Sequence, residues 1–444
     1  MKQTIVILFK KIRNLVQNNV WQKLFGNFLS LSIYQALNFI TEIIILVYLT
    51  NTLGANNYGL VSFAISFILF FQIITEYGFE HSGTRAISKY RDDPQKLKKI
   101  YSSVNYVKII LSCICFIILL IVVSVFEIFR ENFIIYFLLF GLILQSILFP
   151  MWFFRGIEKM KYITIINFIG KGGLVALIIL FINSPTDYVL YPLFVLIIAI
   201  LVGFISQIFI YKKYKMKFEK ITLPDIKFQF SMGFFMFLVY FSTNIINNLN
   251  PFILGLLTDY TDVGIFTTGY RIILIFVLII SLITTTVFPH IVKLVSESNK
   301  QMEDNVFKFI KKVLLIIILV GVASFIFLFV FADLITETLF ISEYRETVNV
   351  IRILSVAPLL IGIGHTLTLQ ILVPLEFDSP VAIIYGVSAI VDLILCFIFI
   401  PIFGYLALCF IILIIRTIPI ILALTWIKKN RTKLNLISLE KKSF

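Results

Sequence analysis

Runs of roughly 20 residues dominated by Leu, Ile and Phe recur along the chain, separated by short breaks that carry Lys, Asn, Asp, Pro or Gly. Such a run crosses the hydrocarbon of a bilayer as a helix, because a helix satisfies its own backbone donors and acceptors where water is absent. The 444 residues are 60% hydrophobic and 14% charged, with mean hydropathy +1.01, which is more apolar surface than one aqueous core can hide. No stretch reads as a soluble domain. The expectation is an all-α membrane protein of about twelve transmembrane helices.

The spans fall near 27–50, 57–80, 103–125, 133–154, 162–182, 189–211, 229–257, 264–289, 313–332, 347–373, 381–400 and 405–427. Charge then divides unevenly between alternate connections. The N-terminus, the even-numbered connections and the C-terminal tail hold 31 of the 38 Lys and Arg residues, whereas the odd-numbered connections hold Arg130 and Arg345 alone. Basic flanks stay in the cytoplasm, so the division predicts an even number of spans and cytoplasmic N- and C-termini. The net charge of +14 follows from that topology and from attraction to anionic membrane lipids; with no nucleic-acid-binding signature, it implies no nucleic-acid partner. At the start, the apolar run Thr4 to Phe9 is interrupted at once by Lys10, Lys11 and Arg13, too short for a signal-peptide core. It reads as a retained, amphipathic segment facing the cytoplasm. The cysteines Cys113, Cys115, Cys396 and Cys409 all fall inside spans with no Cys–His cluster, so they read as small packing residues and not as metal ligands.

An internal repeat organises the spans. Tyr58-Gly59 opens the second span and Arg85-Ala-Ile-Ser-Lys89 follows it; Val263-Gly264 opens the eighth and His290-Ile-Val-Lys293 follows that, both pairs 205 residues apart. Six helices repeating in one orientation are expected of a transporter with two pseudo-symmetric lobes. The resulting division is an N-terminal segment (1–26), a first lobe (27–211), a basic linker containing Pro224 (212–228), a second lobe (229–427) and a basic tail (428–444). Chance similarity among Ile-, Leu- and Phe-rich helices is the competing explanation.

Ionised groups at mid-bilayer cost at least a few kcal/mol, so they normally face protein or a wet cavity. In the first span Gln35, Asn38 and Glu42 share one helical face, and Asn244, Asn247 and Asn248 do so in the seventh, which Pro251 kinks. Matching polar faces on the opening helix of each lobe suggest two walls of a hydrophilic cavity; hydrogen bonding between helices is the alternative. Lys171, set among Gly170, Gly172 and Gly173, and Arg271, beside Tyr270, are placed to present positive charge to an anionic group in the lumen, with Arg85 and Arg155 at the cytoplasmic mouth. Each could instead belong to a structural ion pair. Asp392 and Arg416 fall at comparable depth on adjacent antiparallel helices and read as such a pair. Lys108 and Arg352 lie nearer span ends, where snorkelling to the surface is expected. Glu76, Glu80 and His81 approach the cytoplasmic end of the second span, where a proton-coupling role is conceivable.

Several chemistries lack their residues. The stretch from Gly78 to Arg85 has no Lys-Ser/Thr after its second glycine, so it is not a phosphate-cradling loop of an ATPase. His81, His290 and His365 lie far apart, without hydrolase or metalloprotease spacing. A membrane-embedded glycosyltransferase or polysaccharide polymerase needs a sizeable outer loop for catalytic groups, and the longest outer connection here runs only from Asp333 to Glu346. The chain therefore reads as a transporter, not an enzyme, with no cofactor.

Four stretches resemble the O-antigen flippases of the multidrug/oligosaccharidyl-lipid/polysaccharide exporter superfamily: Leu53-Gly-Ala-Asn-Asn-Tyr-Gly59; Tyr77-Gly-Phe79 with Gly83-Thr-Arg-Ala-Ile-Ser-Lys89; Phe154-Arg-Gly-Ile-Glu-Lys-Met-Lys-Tyr-Ile163; and Asn250-Pro-Phe-Ile-Leu-Gly255 with Asp262-Val-Gly264. Arg155 stands where such families often carry Gln. The resemblance implies a MATE-like fold of two six-helix lobes around a central cavity. It also implies movement of an undecaprenyl-diphosphate-linked oligosaccharide from the cytoplasmic to the periplasmic leaflet of the bacterial inner membrane by alternating access, with polysaccharide polymerase machinery as a further partner. A drug or cation exporter of the same superfamily is the alternative transporter, disfavoured if the lumen is net positive.

Overall fold

The computed structural model describes the backbone of residues 19–296, 300–375 and 377–430. Side chains are described from residue 33 onward, except at 232–233, 235–236, 238–240, 242–243, 245–247, 289, 293, 296–307 and 376. The terminal segments 1–18 and 431–444 and the side chain of Asn247 therefore lie outside the described residues.

Among the described residues the regular structure is helical throughout, and nine stretches are long and apolar enough to cross a membrane. Two of these, Ile33–Lys89 with 57 residues and Asp378–Lys429 with 52, far exceed the roughly 20 residues that one crossing needs. Each is broken at a glycine that adopts positive φ, Gly54 (φ 76°) and Gly404 (φ 56°), a conformation costly for any residue with a Cβ. In chain order the helices are α1 (Asn19–Glu76, broken at Gly54), α2 (Phe79–Lys89), α3 (Pro94–Val125), α4 (Phe133–Leu139), α5 (Gly141–Leu148), α6 (Met151–Gly156), α7 (Met160–Phe181) and α8 (Leu190–Tyr214). There follow α9 (Leu223–Asn248), α10 (Asn250–Leu257), α11 (Tyr260–Ser296), α12 (Lys300–Val330), α13 (Ala332–Leu339), α14 (Thr347–Leu354), α15 (Ala357–His365) and α16 (Asp378–Lys429, broken at Gly404). Large apolar side chains such as Ile117, Leu180, Phe204, Ile383 and Ile402 remain more than half exposed, as expected of faces that meet lipid.

The chain forms two compact units. The first comprises Met1–Tyr48, Phe71–Asn183 and Val189–Tyr240. Its core gathers Phe79 and Ile87 of α2, Tyr101 and Val104 of α3, and Trp152, Phe153 and Phe154 of α6. Small residues set the α2–α6 approach: a Cβ on Gly83 would come 2.9 Å from the Trp152 ring, and one on Gly156 would come 2.5 Å from Ile87. Thr84 and Ser88 donate to the Trp152 and Gly156 carbonyls at 3.2 Å each, and Arg91 pairs with Glu158 at 2.8 Å. The stretch 77–89 and the stretch 154–163, widely separated in sequence, are thus one packed substructure.

Helix α3 starts where its residues dictate. Asp93 caps it by accepting from the Gln95 and Lys96 amides, and Pro94 takes the first position, where no amide donor is needed. The start of α9 is clasped to it: Lys99 lies 2.7 Å from Asp225, whose other oxygen accepts from the Thr222 amide and hydroxyl. The Lys99 ammonium, together with those Thr222 donors, holds the Asp225 carboxyl down to about 2. A depressed carboxyl contributes stability above its unfolded pKa of about 3.9 and loses it as pH falls through the folded value. Slowed amide exchange at the first turn of α9 is therefore expected to persist from pH 7 to pH 4 and to be lost towards pH 2. An Asp225→Asn variant should lack the slowing at all three pH values.

The second unit comprises Leu49–Phe70, Ser184–Tyr188 and Phe241–Phe444. Leu49–Leu53 before the α1 break belong here, and so does the part of α1 from Gly54 to Phe70. Glu343 caps its start by accepting from the Ala55 amide at 2.9 Å, and the Asn51 side chain bonds both the Leu339 carbonyl and the Ile341 amide. Phe252 of α10 stacks on Phe63 and Phe67 at 5.2 and 5.1 Å. Between α1 and α11 the backbones themselves touch: a Cβ on Gly59 would overlap the Tyr260 carbonyl, and one on Gly264 would overlap the Ala55 carbonyl. The contact is reciprocal, because Ala55 and Gly59 correspond to Tyr260 and Gly264 under the 205-residue offset. Further along, α15 runs into a π-helical turn, Thr366–Leu372, whose Gln370 side chain donates to the Thr284 carbonyl at 2.9 Å.

Candidate functional site

Helical periodicity places polar residues of the first unit on inward faces, one turn apart. Asn38 and Glu42 of α1, Gln72 and Glu76 near its end, and Asn167 and Lys171 of α7 are three such pairs, and all six line one cavity of about 350 Å³. Glu80 of α2, Lys108 of α3, Gln145 and Ser146 of α5, Trp152 of α6, Tyr34 and Phe149 complete its polar and aromatic wall.

The cavity's charges occur in pairs. Lys108 is 1% exposed, and its Nζ lies 3.1 Å from a Glu76 carboxylate oxygen and donates to the Ser146 carbonyl at 2.8 Å. Lys171 lies 3.9 Å from Glu42, and Arg155 of α6 pairs with Glu80. Pairing is what an ionised group away from water requires, since stripping hydration from one charge costs several kcal/mol unless a counter-charge or hydrogen bonds replace it. Two expectations are corrected here. Lys108 does not snorkel: it lies on the buried stripe of α3 with Ser102, Asn105 and Ser112. Nor is this cavity net positive: its lining carries three carboxylates, Glu42, Glu76 and Glu80, against two lysines, Lys108 and Lys171, and Arg155 meets Glu80 without itself lining the cavity.

The remaining candidates lie elsewhere. Gln35 and Arg85 are exposed and do not line this cavity. Asn244 and Asn248 belong to the second unit, where Asn248 donates to Asn244 at 3.1 Å, and Arg271 sits half-buried on α11 of the same unit. In that unit Asp392 is 1% exposed and within electrostatic reach of Arg416, which in turn donates to the Tyr270 hydroxyl at 3.5 Å. Sequence reasoning missed Lys108, Gln72, Gln145 and Asn167. A signal was there for some: Gln72, Glu76 and Glu80 recur every fourth residue, and the polar residues of α3 recur every third or fourth.

Among the described residues no group of His, Cys, Asp and Glu is arranged to hold a metal ion. What the cavity offers instead is recognition: amides able to donate to and accept from hydroxyl groups, an indole ring and two lysines.

Residues 24–295 match the family described as "Polysaccharide biosynthesis protein". A relative from Escherichia coli is 23% identical over 372 residues, covering 84% of this chain and 88% of its own length. One from Shigella dysenteriae is 30% identical over 190 residues, or 43% and 47% of the two chains. Both carry the name "Putative O-antigen transporter". Among solved structures, an inward-facing multidrug resistance MATE family transporter of the MOP superfamily aligns with TM-score 0.73 at 14% identity, covering 94% of this chain and all of that one. The lipid II flippase MurJ aligns with TM-score 0.72 at 14% identity, covering 94% and 91%.

Proposed function

Because the chain belongs to the polysaccharide biosynthesis protein family, we propose that it is a flippase for a lipid-diphosphate-linked oligosaccharide and not an enzyme. Its cargo on this reading is an undecaprenyl-diphosphate-linked repeat unit of O-antigen or a similar polysaccharide, carried from the cytoplasmic to the periplasmic leaflet of the bacterial inner membrane. Alternating access of two six-helix lobes, twelve spans in all with both termini in the cytoplasm, provides the route. Polysaccharide polymerase machinery is the expected recipient of the product.

The observation that carries this reading is a cavity of amides, paired charges and one indole set among helices apolar enough to span a bilayer. A glycan and a diphosphate cannot cross hydrocarbon unaided, because each polar group would lose its hydrogen bonds to water. The cavity's amides replace those bonds for hydroxyls, and its lysines replace them for phosphate oxygens. The E. coli relative, similar over most of both chains and named a transporter, supports the same assignment.

A second reading has one observation in its favour. Three glutamates among the lining residues suit a cation as well as the lysines suit an anion, and a MATE transporter is as similar in fold as MurJ. Drug or cation export is therefore the competitor. Reconstituted vesicles decide between them: the chain is expected to move a fluorescent lipid-diphosphate oligosaccharide between leaflets and to leave a cationic dye gradient unchanged.

A further inference from the structure

Lys108 is the most deeply buried cation of the first unit's cavity, with 1% of its side chain exposed. An ammonium has three N–H donors. Two meet protein acceptors here, the neutral Ser146 carbonyl at 2.8 Å and the charged Glu76 at 3.1 Å. Glu76 is an unusual choice of permanent partner. It sits in the last turn of α1, immediately before Tyr77 and Gly78, both of which adopt positive φ, and its carboxylate is itself part of the cavity lining. Trp152, a residue of the same wall, is 2% exposed, and its indole N–H meets no acceptor among the described residues.

Resting on the flippase reading, we propose that Lys108 is the diphosphate-recognising group of this cavity and that Glu76 is its resident counter-ion, displaced when the diphosphate binds. A diphosphate diester carries two charges and several acceptor oxygens against the carboxylate's one charge and two oxygens. It can therefore take the place of Glu76 at Lys108. The sugar attached to it then meets the amides Gln72, Gln145 and Asn167. The other charged groups facing the exchange, Glu42 with Lys171 and Glu80 with Arg155, keep their own partners, so the swap concerns one pair. Glu76 acts as a built-in competitor: it neutralises Lys108 in the empty cavity and sets a threshold that only a dianion crosses.

The test is calorimetric titration of the full chain in detergent with two probes, inorganic pyrophosphate and a short-chain isoprenyl diphosphate. Removing the competitor by Glu76→Gln should tighten the isoprenyl diphosphate about tenfold, which is about 1.4 kcal/mol. Lys108→Arg in the Glu76→Gln background should retain most of that gain, while Lys108→Gln with Glu76→Gln, which leaves no charge unpaired, should abolish it. Equal tightening of pyrophosphate identifies free phosphate chemistry as sufficient; tightening of the isoprenyl probe alone assigns the site to the lipid-linked group. Either supports the exchange. Unchanged or weaker binding of both probes to the Glu76→Gln chain overturns it, as does tight binding that survives loss of Lys108. Translocation assayed in parallel separates the two levels: movement of the glycolipid by the natural chain with no Glu76 effect sinks this inference and leaves the function standing. Tightened binding without movement does the reverse.

Discussion

Replacing Gly264 with Leu should destabilise the second unit by about 3 kcal/mol, the upper end of the usual overpacking range, and Gly59→Leu should do the same. The reason is that the atoms in the way are backbone. A Cβ at either position would overlap a main-chain carbonyl, Tyr260 in one case and Ala55 in the other, so no rotamer change relieves the clash. Either α1 or α11 has to shift, and the shift would strain the Asn51 and Glu343 hydrogen bonds that tie the start of this segment to residues 339–343. Alanine at the same sites should already be costly, because the Cβ itself is what fails to fit. Two other glycines provide the control. A Cβ on Gly172 or Gly386 meets nothing within 4 Å, so Gly→Ala there should be neutral or stabilise by about 0.4–1 kcal/mol through reduced freedom of the unfolded chain. Thermal unfolding of the four alanine variants in detergent measures the contrast; similar melting temperatures for all four would mean that the close helix crossing is absent.

Lys108→Met should be the most damaging single change in the first unit. It leaves the Glu76 carboxylate, whose side chain is 17% exposed, without its cation, and breaking a buried pair from one side typically costs about 3–5 kcal/mol. Glu76→Gln should cost less, because Lys108 keeps the Ser146 carbonyl and gains an amide oxygen of similar shape. Removing both charges together, Lys108→Met with Glu76→Met, should recover most of the loss. The double-mutant cycle reads the coupling directly, and additive effects would show that the two groups do not interact.

These two sites differ in how far the sequence reveals them. The glycines are legible: Gly59 and Gly264 stand out through the 205-residue offset, and a repeat-related pair in a membrane chain is a natural place for helices to approach closely. What the sequence does not say is that they meet each other, since that depends on where Leu49–Phe70 packs. Lys108 is misread because span boundaries drawn from hydropathy place it near an end, whereas depth matters less than direction. Ile109, Ile110, Ile114 and Ile117 on the same helix are exposed, and Val104, Val107, Leu111 and Cys115 are buried with Lys108. A cation on the inward stripe cannot snorkel outward without turning the helix over. The spacing of Ser102, Asn105, Lys108 and Ser112 carries that information, yet its partners Glu76 and Ser146 come from other helices and emerge only on folding. The polar face of Gln35, Asn38 and Glu42 is read from period alone; Asn38 and Glu42 line the first unit's cavity and Gln35 does not. The matching face of the seventh span, Asn244, Asn247 and Asn248, lies in the second unit, where Asn248 donates to Asn244 and the Asn247 side chain is outside the described residues.

On the proposed function this chain moves a lipid-diphosphate oligosaccharide between leaflets. Vesicles carrying that glycolipid with a fluorescent group on the glycan, treated with a membrane-impermeant quencher, measure it directly. With the natural chain incorporated, the protected inner-leaflet fluorescence that persists in protein-free vesicles should decay towards zero, and the chain lacking both Lys108 and Glu76 charges should slow the decay. A protected pool that stays constant in the presence of folded protein, in vesicles where the same protein discharges a cationic dye gradient, would contradict the account.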